Sequence, residues 1–299
     1  MTGSAKAQLH WPHGSLANGA DPLVLTPEAA GWAYSGLRVL KLNAGEARTI
    51  DTGGDEYAIV PLSGSCRVAV GETTFELAGR SSVFAGVTDW AYVPIDSIMT
   101  VQSDGGGEFA LCSARATERC DPHYGDAESV AVELRGGGQA SRQVNNFASP
   151  QQFDGAHKLM CVEVYTPDGN WSSYPPHKHD DSPECEVNIE EIYYFRIGKA
   201  GTAQYATDGF GLHRTYTGEL PNGDLEIDEN VTVGDGDVFL VPRGYHGPCV
   251  AAPGYTMYYL NVLAGPGRER SMAFCDDPDH HWMREVLDDQ PMDPRLPLF

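Results

Sequence analysis

The sequence predicts an all-β protein made of two tandem barrels with a short C-terminal helix. Its apolar segments are short, rich in β-branched residues and bounded by Gly, Pro, Asp or Asn, as in residues 66–70, 158–165 and 237–241. The 34 glycines and 20 prolines interrupt the chain at strand-length rather than helix-length intervals. A length of 299 residues also exceeds what one hydrophobic core usually supports, which favours two domains.

The two predicted barrels correspond to residues 1–138 and 139–299. In each half an acidic residue opens an apolar strand that ends at a glycine, and a later strand leads to Pro94 or Pro242. The glycine-rich residues 135–141 are predicted to link the two halves. The first half contains no H-x-H pair, so we expect it to be a structural barrel without a metal site.

The C-terminal residues 276–287 break the β pattern. Asp276 and Asp277 precede Pro278, and acidic residues are frequent here, as at the start of a helix. This segment is therefore predicted to form a single helix on the outside of the second barrel.

The net charge excludes two classes of partner. With 20 Lys and Arg against 42 Asp and Glu, the formal charge is −22, which disfavours binding to nucleic acid and to anionic membranes. The sequence has no apolar run of membrane-helix length, no signal-peptide core at its start and no C-x-x-C pair among its 7 cysteines. These features predict a cytoplasmic protein.

A metal site is predicted in the second half. Alternate side chains of a strand face the same side, so His177 and His179 would both point into the barrel while Lys178 points away. His246 follows the turn at Pro242. Imidazoles grouped in this way are typical metal ligands, and we expect the three histidines to bind one divalent ion.

The segments around these histidines resemble the motifs of cupin barrels, G-x5-H-x-H-x3,4-E-x6-G and G-x5-P-x-G-x2-H. Six residues separate Glu191 from Gly198, and five separate Gly236 from Pro242. One residue, rather than two, lies between the following glycine and His246. More specifically, the sequence resembles the 5-deoxy-glucuronate isomerase family, a group of two-cupin enzymes related to the 4-deoxy-5-ketouronate isomerases. The segments that carry this resemblance are residues 174–179, 190–194, 241–246 and 258–262.

The resemblance implies a fold, an activity and a cofactor. The fold would be two cupin barrels, which are double-stranded β-helices of the jelly-roll type. The activity would be the metal-dependent aldose–ketose isomerisation of 5-deoxy-D-glucuronate to 5-dehydro-2-deoxy-D-gluconate in myo-inositol catabolism. The partner would be a small sugar acid, and the cofactor one Zn, Mn or Fe ion without an organic cofactor. A cupin dioxygenase and a non-catalytic sugar-binding protein remain alternatives, and the oligomeric state, with a homodimer as one option, stays open.

Two acidic residues compete for the fourth ligand position. Glu184 has the spacing from His179 that the general cupin motif uses, but it lies in a segment with turn chemistry. Glu191 instead begins an apolar strand, on which Glu191 and Tyr193 would face inward and Glu190 outward. Glu191 is therefore the preferred ligand, and Glu190 is interpreted as a solvated acid.

Three further side chains are candidates for catalysis. Tyr193 would face inward near Glu191, where a phenol can act as an acid or base. Arg243 lies three residues before His246 and is the preferred group to bind a substrate carboxylate. Arg142 follows the predicted linker and is the second candidate for that role.

Overall fold

Strands provide most of the regular structure, which confirms the all-β prediction. The computed structural model describes residues 8–180, 185, 187–217 and 226–299. The strands up to residue 125 are β1 (His10–Trp11), β2 (Leu23–Leu25), β3 (Ser35–Leu42), β4 (Glu46–Asp51), β5 (Asp55–Val70), β6 (Thr73–Arg80), β7 (Trp90–Val93), β8 (Ile98–Ser103), β9 (Gly107–Arg115) and β10 (His123–Gly125). Those after residue 130 are β11 (Ala131–Arg135), β12 (Arg142–Ala148), β13 (Met160–Thr166), β14 (Trp171–Ser172), β15 (His177–Lys178), β16 (Glu190–Lys199), β17 (Phe210–Tyr216), β18 (Asp228–Gly234), β19 (Val238–Val241), β20 (Tyr245–Ala251), β21 (Tyr255–Ala264) and β22 (Cys275–Asp276). The α-helices are α1 (Pro27–Ala30) and α2 (Met283–Asp288), with 3₁₀ turns at Ala127–Ser129 and Gly138–Ala140.

The first barrel is closed by its long strand β5. The early part of β5 pairs with β7 and β9, and its late part pairs with β6 and β8, so one strand belongs to both faces of the barrel. Apolar side chains such as Leu40, Ile59 and Phe109 fill the interior and are fully buried. This interior is a packed core.

The second barrel is built from two sheets. One has the strand order β1-β19-β16-β21-β13-β12-β11, and the other has the order β18-β17-β20-β15-β22 with β14 beside β20. Its interior contains polar aromatic rings as well as apolar ones, including Tyr193, His213 and Tyr259. The two barrels share one hydrophobic core, and the buried Arg80 of the first pairs with the buried Glu163 of the second.

The glycine-rich segment predicted as a linker is a tight connection within one sheet. It joins β11 to β12, which are antiparallel neighbours with Arg135 opposite Arg142. β11 precedes residue 138 yet hydrogen-bonds to β12, which follows it, and β1 pairs with β19. The division of the chain at residue 138 therefore stays a prediction.

The C-terminal helix is present, but it begins later than residues 276–287 predict. Asp276 ends strand β22, and Asp277 forms a turn by accepting a hydrogen bond from the backbone N–H of Asp279 at 2.9 Å. α2 begins only at Met283 and has no side-chain cap. In the part of the chain that the structure describes, no helix is long and apolar enough to cross a membrane.

Candidate metal centre

The three predicted histidines lie together in the second barrel. His177 is on β15, His179 follows that strand, and His246 is the second residue of β20. His177 and His246 are cross-strand neighbours, and a nitrogen atom from each of the three rings lies within 4.8 Å of the other two. One ion can therefore contact all three imidazoles.

Backbone carbonyl groups orient the three rings. Nδ1 of His179 lies 2.6 Å from the carbonyl oxygen of Ala273, and Nδ1 of His177 lies 3.2 Å from that of Pro175. Nδ1 of His246 lies 3.5 Å from the carbonyl oxygen of its near neighbour Gly244. A carbonyl oxygen accepts only, so each Nδ1 carries the proton and each Nε2 presents a lone pair, as in typical metal-bound histidines.

Glu191 completes the group from strand β16. Its Oε1 accepts a hydrogen bond from the amide of Asn261 at 2.6 Å. Its Oε2 lies 3.0 Å from Nε2 of His246 without the alignment of a hydrogen bond, and neither buried atom has a hydrogen-bond partner among the described residues. Buried polar atoms of this kind are costly unless something binds them. A divalent cation fits both atoms, because each offers a lone pair.

The protonation states in this group also suit a cation. Burial lowers the pKa of His177 well below its usual range, and the imidazoles of His246 and His179 act in the same direction. Burial likewise lowers the pKa of His179. Burial raises the pKa of Glu191, whereas positive charge at His246 or His179 and the hydrogen bond from Asn261 lower it, and the net shift is downward. Neutral imidazoles and an ionised carboxylate are the forms that bind metals.

The structure places Glu191 at the site, as strand alternation predicts. The alternative ligand, Glu184, lies outside the described residues. Asn261, which holds the Glu191 carboxylate, was not singled out from the sequence, although it is directly opposite Tyr193 in the β16–β21 pairing. The pairing of distant strands would have been needed to find it.

His177, His179 and Glu191 line a cavity of about 870 Å³, which Arg142 and Arg284 also line. Arg142 lines it, and its guanidinium donates one hydrogen bond, to the carbonyl oxygen of Ala140 at 3.2 Å. Burial is the main reason that the pKa of Arg142 falls to about 10, and nearby arginines act in the same direction. Arg142 has no ion pair with the described residues, so none of their carboxylates balances the positive charge of its guanidinium.

The C-terminal segment supplies two further wall residues that sequence reasoning missed. Arg284 reaches the cavity from α2. Asp276, on strand β22, holds its guanidinium through a bidentate ion pair. The guanidinium lies 4.7 Å from the ring centre of Phe274, which in turn lies 5.1 Å from the ring of His177. No sequence motif marks these positions, because they are brought to the site by the packing of the segment after the barrel.

Arg243 does not lie where the sequence suggested. Its guanidinium pairs with Glu226, and its side chain is 51% exposed outside the cavity. The turn that carries it is fixed by Gly244, whose backbone N–H donates to Asp180 at 3.0 Å. Arg243, the residue that the sequence favoured for binding a substrate carboxylate, therefore does not line this cavity, because its side chain points to solvent.

Tyr193 faces the cavity, as predicted, and belongs to a small hydroxyl network. Its hydroxyl lies 3.2 Å from Oγ of Ser173, which also lies 3.0 Å from the hydroxyl of Tyr259. The two tyrosine rings stack with centres 4.7 Å apart. Burial raises the pKa of Tyr193 well above its usual range, and the nearby Glu191 carboxylate raises it further. The phenol is therefore protonated at neutral pH and can donate a hydrogen bond into the cavity.

Gly247 allows the Ser173 segment to sit beside strand β20. A Cβ on Gly247 would lie 1.8 Å from the carbonyl oxygen of Ser173, and the glycine has a φ of +95°. We expect Gly247→Ala to lower the free energy of unfolding by about 3 kcal/mol, because strain and the clash add. Gly254→Ala is the matched control, with a φ of +88° in open space, and should cost only about 1–2 kcal/mol. Equal losses in a denaturant titration would show that the clash is relieved elsewhere.

Other residues occupy the corresponding positions of the first barrel. Glu191 pairs with Val241 just before Pro242, and Tyr57 pairs in the same way with Val93 just before Pro94. Strands β4 and β8 of the first barrel correspond to β15 and β20. Their buried cross-strand pair is Ile50 and Met99. The chain thus places a phenol and two apolar side chains where the second barrel has a carboxylate and imidazoles.

Two jelly-roll barrels in one chain, with a histidine and glutamate cluster inside the second, define a bicupin. The sequence matches the KduI/IolB family over residues 12–283, and the chain belongs to this family. A 5-deoxy-glucuronate isomerase of Geobacillus kaustophilus is 40% identical over 264 residues, which cover 87% of this chain and 90% of the relative. That of Bacillus subtilis is 38% identical over 255 residues, covering 84% and 88%.

Solved structures agree with the fold. An IolB-like protein from Salmonella typhimurium superposes with a TM-score of 0.81 at 33% identity, covering 93% of this chain and 99% of that one. An oxalate decarboxylase of Lactobacillus farciminis gives a TM-score of 0.65 at 11% identity, covering 96% and 98%. This second likeness concerns the fold alone.

Proposed function

We propose that this protein is a metal-dependent isomerase that converts 5-deoxy-D-glucuronate to 5-dehydro-2-deoxy-D-gluconate, a step of myo-inositol catabolism. One observation carries the metal dependence: the buried Oε2 of Glu191 and Nε2 of His246 lie 3.0 Å apart without hydrogen-bond partners among the described residues. The substrate follows from the relatives, which bear the name 5-deoxy-glucuronate isomerase at 38% to 40% identity over most of both chains.

His177, His179, Glu191 and His246 would hold one Zn, Mn or Fe ion. When bound, such an ion supplies a Lewis acid for a carbonyl and its neighbouring hydroxyl. Three nitrogen ligands and one oxygen ligand suit all three metals, since geometry and availability decide between them. The carbonyl groups behind the imidazoles and the amide behind Glu191 fix the donor atoms in advance, which lowers the cost of ordering them.

The remaining residues of the cavity wall would contact the two ends of the substrate, its carboxylate and its carbonyl end. Arg142 is the preferred partner of the substrate carboxylate, because it is a partly buried cation that makes no ion pair with the described residues. Arg284 lies on the same cavity wall, where Asp276 pairs with its guanidinium. Aldose–ketose isomerisation moves one proton between neighbouring carbons and another between their oxygens. Tyr193, which is protonated at neutral pH, is suited to the oxygen side.

Conversion of 5-deoxy-glucuronate, followed by NMR in the presence and absence of oxygen, tests this function. We expect equal rates in both conditions with metal-loaded protein, because isomerisation transfers no electrons out of the substrate. Turnover in air alone would favour a cupin dioxygenase. Binding of the sugar acid without turnover in either condition would favour a non-catalytic sugar-binding protein.

Tyr193→Phe is expected to lower kcat about 100-fold while KM and bound metal stay near the wild-type values. The change removes only the proton donor, and general acid–base groups typically contribute a factor of about 10²–10⁴. Tyr194→Phe is the matched control, since Tyr194 is an equally buried neighbour on the other face of β16. A Tyr193→Phe enzyme with wild-type kcat would exclude the phenol from proton transfer.

A further inference from the structure

The Glu190 carboxylate binds the backbone of the opposite barrel, so its interpretation as a solvated acid is wrong. Oε1 accepts a hydrogen bond from the N–H of Ala33 at 2.7 Å, and Oε2 accepts from those of Tyr34 at 2.7 Å and Ser35 at 2.9 Å. The Ser35 hydroxyl donates to the Glu190 carbonyl oxygen at 3.0 Å. Hydrogen bonds to an ionised acceptor are about twice as strong as neutral ones. The start of β16 is therefore tied firmly to the first barrel.

Glu56 of the first barrel makes the reciprocal contact with the second barrel. It accepts hydrogen bonds from the backbone N–H groups of His157, Lys158 and Leu159, at 2.9, 2.5 and 2.6 Å. It also accepts from the hydroxyl of Tyr92 at 2.6 Å. Each barrel thus uses the acid at the start of a central strand to hold the chain that enters the other barrel.

The two contacts differ in what comes next along the strand. The residue after Glu56 is Tyr57, which packs against the apolar core of the first barrel. The residue after Glu190 is Glu191, whose carboxylate belongs to the candidate metal centre. Adjacent strand residues face opposite sides of the sheet, so one backbone position is held from the first barrel while the next projects into the cavity.

We propose that Glu190 is a positioning residue for the metal centre. By holding Glu190, residues 33–35 of the first barrel fix the backbone from which Glu191 reaches the ion. The first barrel then contributes to the site without supplying a ligand. This inference rests on the proposed metal function of Glu191.

Glu190→Gln tests the proposal through metal affinity. A glutamine keeps the size of the side chain and one accepting oxygen, but its NH₂ group would face a backbone N–H donor and its charge is lost, so the contact with residues 33–35 is weakened. We expect the affinity for Zn²⁺, measured by competition with a chromophoric chelator, to fall about tenfold, as for other residues that support a ligand. Glu56→Gln makes the same chemical change at a fully buried position and should lower stability at least as much. Its Zn²⁺ affinity should stay at the wild-type value.

Affinities are compared well below the unfolding temperature of each variant. An unchanged affinity in Glu190→Gln would overturn the proposal, and so would an equal loss in Glu56→Gln, which would indicate a general effect of stability. If Glu190→Gln does not fold, Ser35→Ala removes one bond to the same residue and should cause a smaller loss, whereas wild-type affinity would overturn the idea. A wild-type protein that binds no Zn²⁺ would overturn the metal centre, and this inference with it.

Discussion

Replacing His179 by alanine is expected to abolish stoichiometric metal binding and, with it, the isomerase activity. The side chain supplies one of the three imidazoles whose nitrogens lie within 4.8 Å of one another, and its Nδ1 bonds to Ala273. Loss of a residue that merely supports a ligand costs about 10- to 100-fold in affinity, so loss of a ligand should exceed about 100-fold. The rate should fall at least about 1000-fold, since a Lewis acid contributes several kcal/mol.

Elemental analysis of the purified protein and direct titration with Zn²⁺ or Mn²⁺ measure the first effect. His123→Ala is the control, because His123 is exposed, lies in the first barrel and does not line the cavity. It should retain one equivalent of metal. A full equivalent of metal in His179→Ala would mean that the ion binds elsewhere in the protein. The assignment of His177 and His246 as ligands would then be wrong as well.

The parts of the candidate site whose positions follow from the sequence depend on local chain geometry. The alternation of a strand put Glu191 and Tyr193 on the inner face, and the buried ends of both side chains lie there. The H-x-H pair meets His246 because β15 and β20 are cross-strand neighbours. Periodicity and glycine or proline spacing act over a few residues, so a single sequence carries them.

The errors come from contacts between distant parts of the chain. Glu190 looks like a surface acid until residues 33–35, which are 155 to 157 positions away in the sequence, are placed beside it. Arg243 has a suitable position in the turn, yet its pairing with Glu226 directs it to solvent. Arg284 reaches the cavity only through the packing of α2. In each case the direction of a long side chain is set by a tertiary partner that no local pattern reveals.

Arg142→Met is expected to raise KM for the uronate about 30- to 150-fold with little change in bound metal. This factor corresponds to about 2–3 kcal/mol, the value of a hydrogen-bonded contact between charged groups. Methionine keeps much of the apolar stem, so the cavity wall should remain packed. A protein with a net charge of −22 repels an anionic substrate overall, and a local cation is needed to reverse that at the site. Arg142 meets this need, because it lines the cavity and has no ion pair with a described residue.

Arg243→Met is the matched control for this change. The same substitution at an exposed arginine outside the cavity should leave KM and kcat near the wild-type values, since its partner Glu226 is also exposed and such pairs contribute little. Steady-state kinetics on both variants, with metal content measured in parallel, separate the alternatives. A raised KM in Arg243→Met alone would place the carboxylate outside the cavity. A normal KM in both variants would transfer the role to Arg284, because its guanidinium lies on the same wall and is already oriented by Asp276.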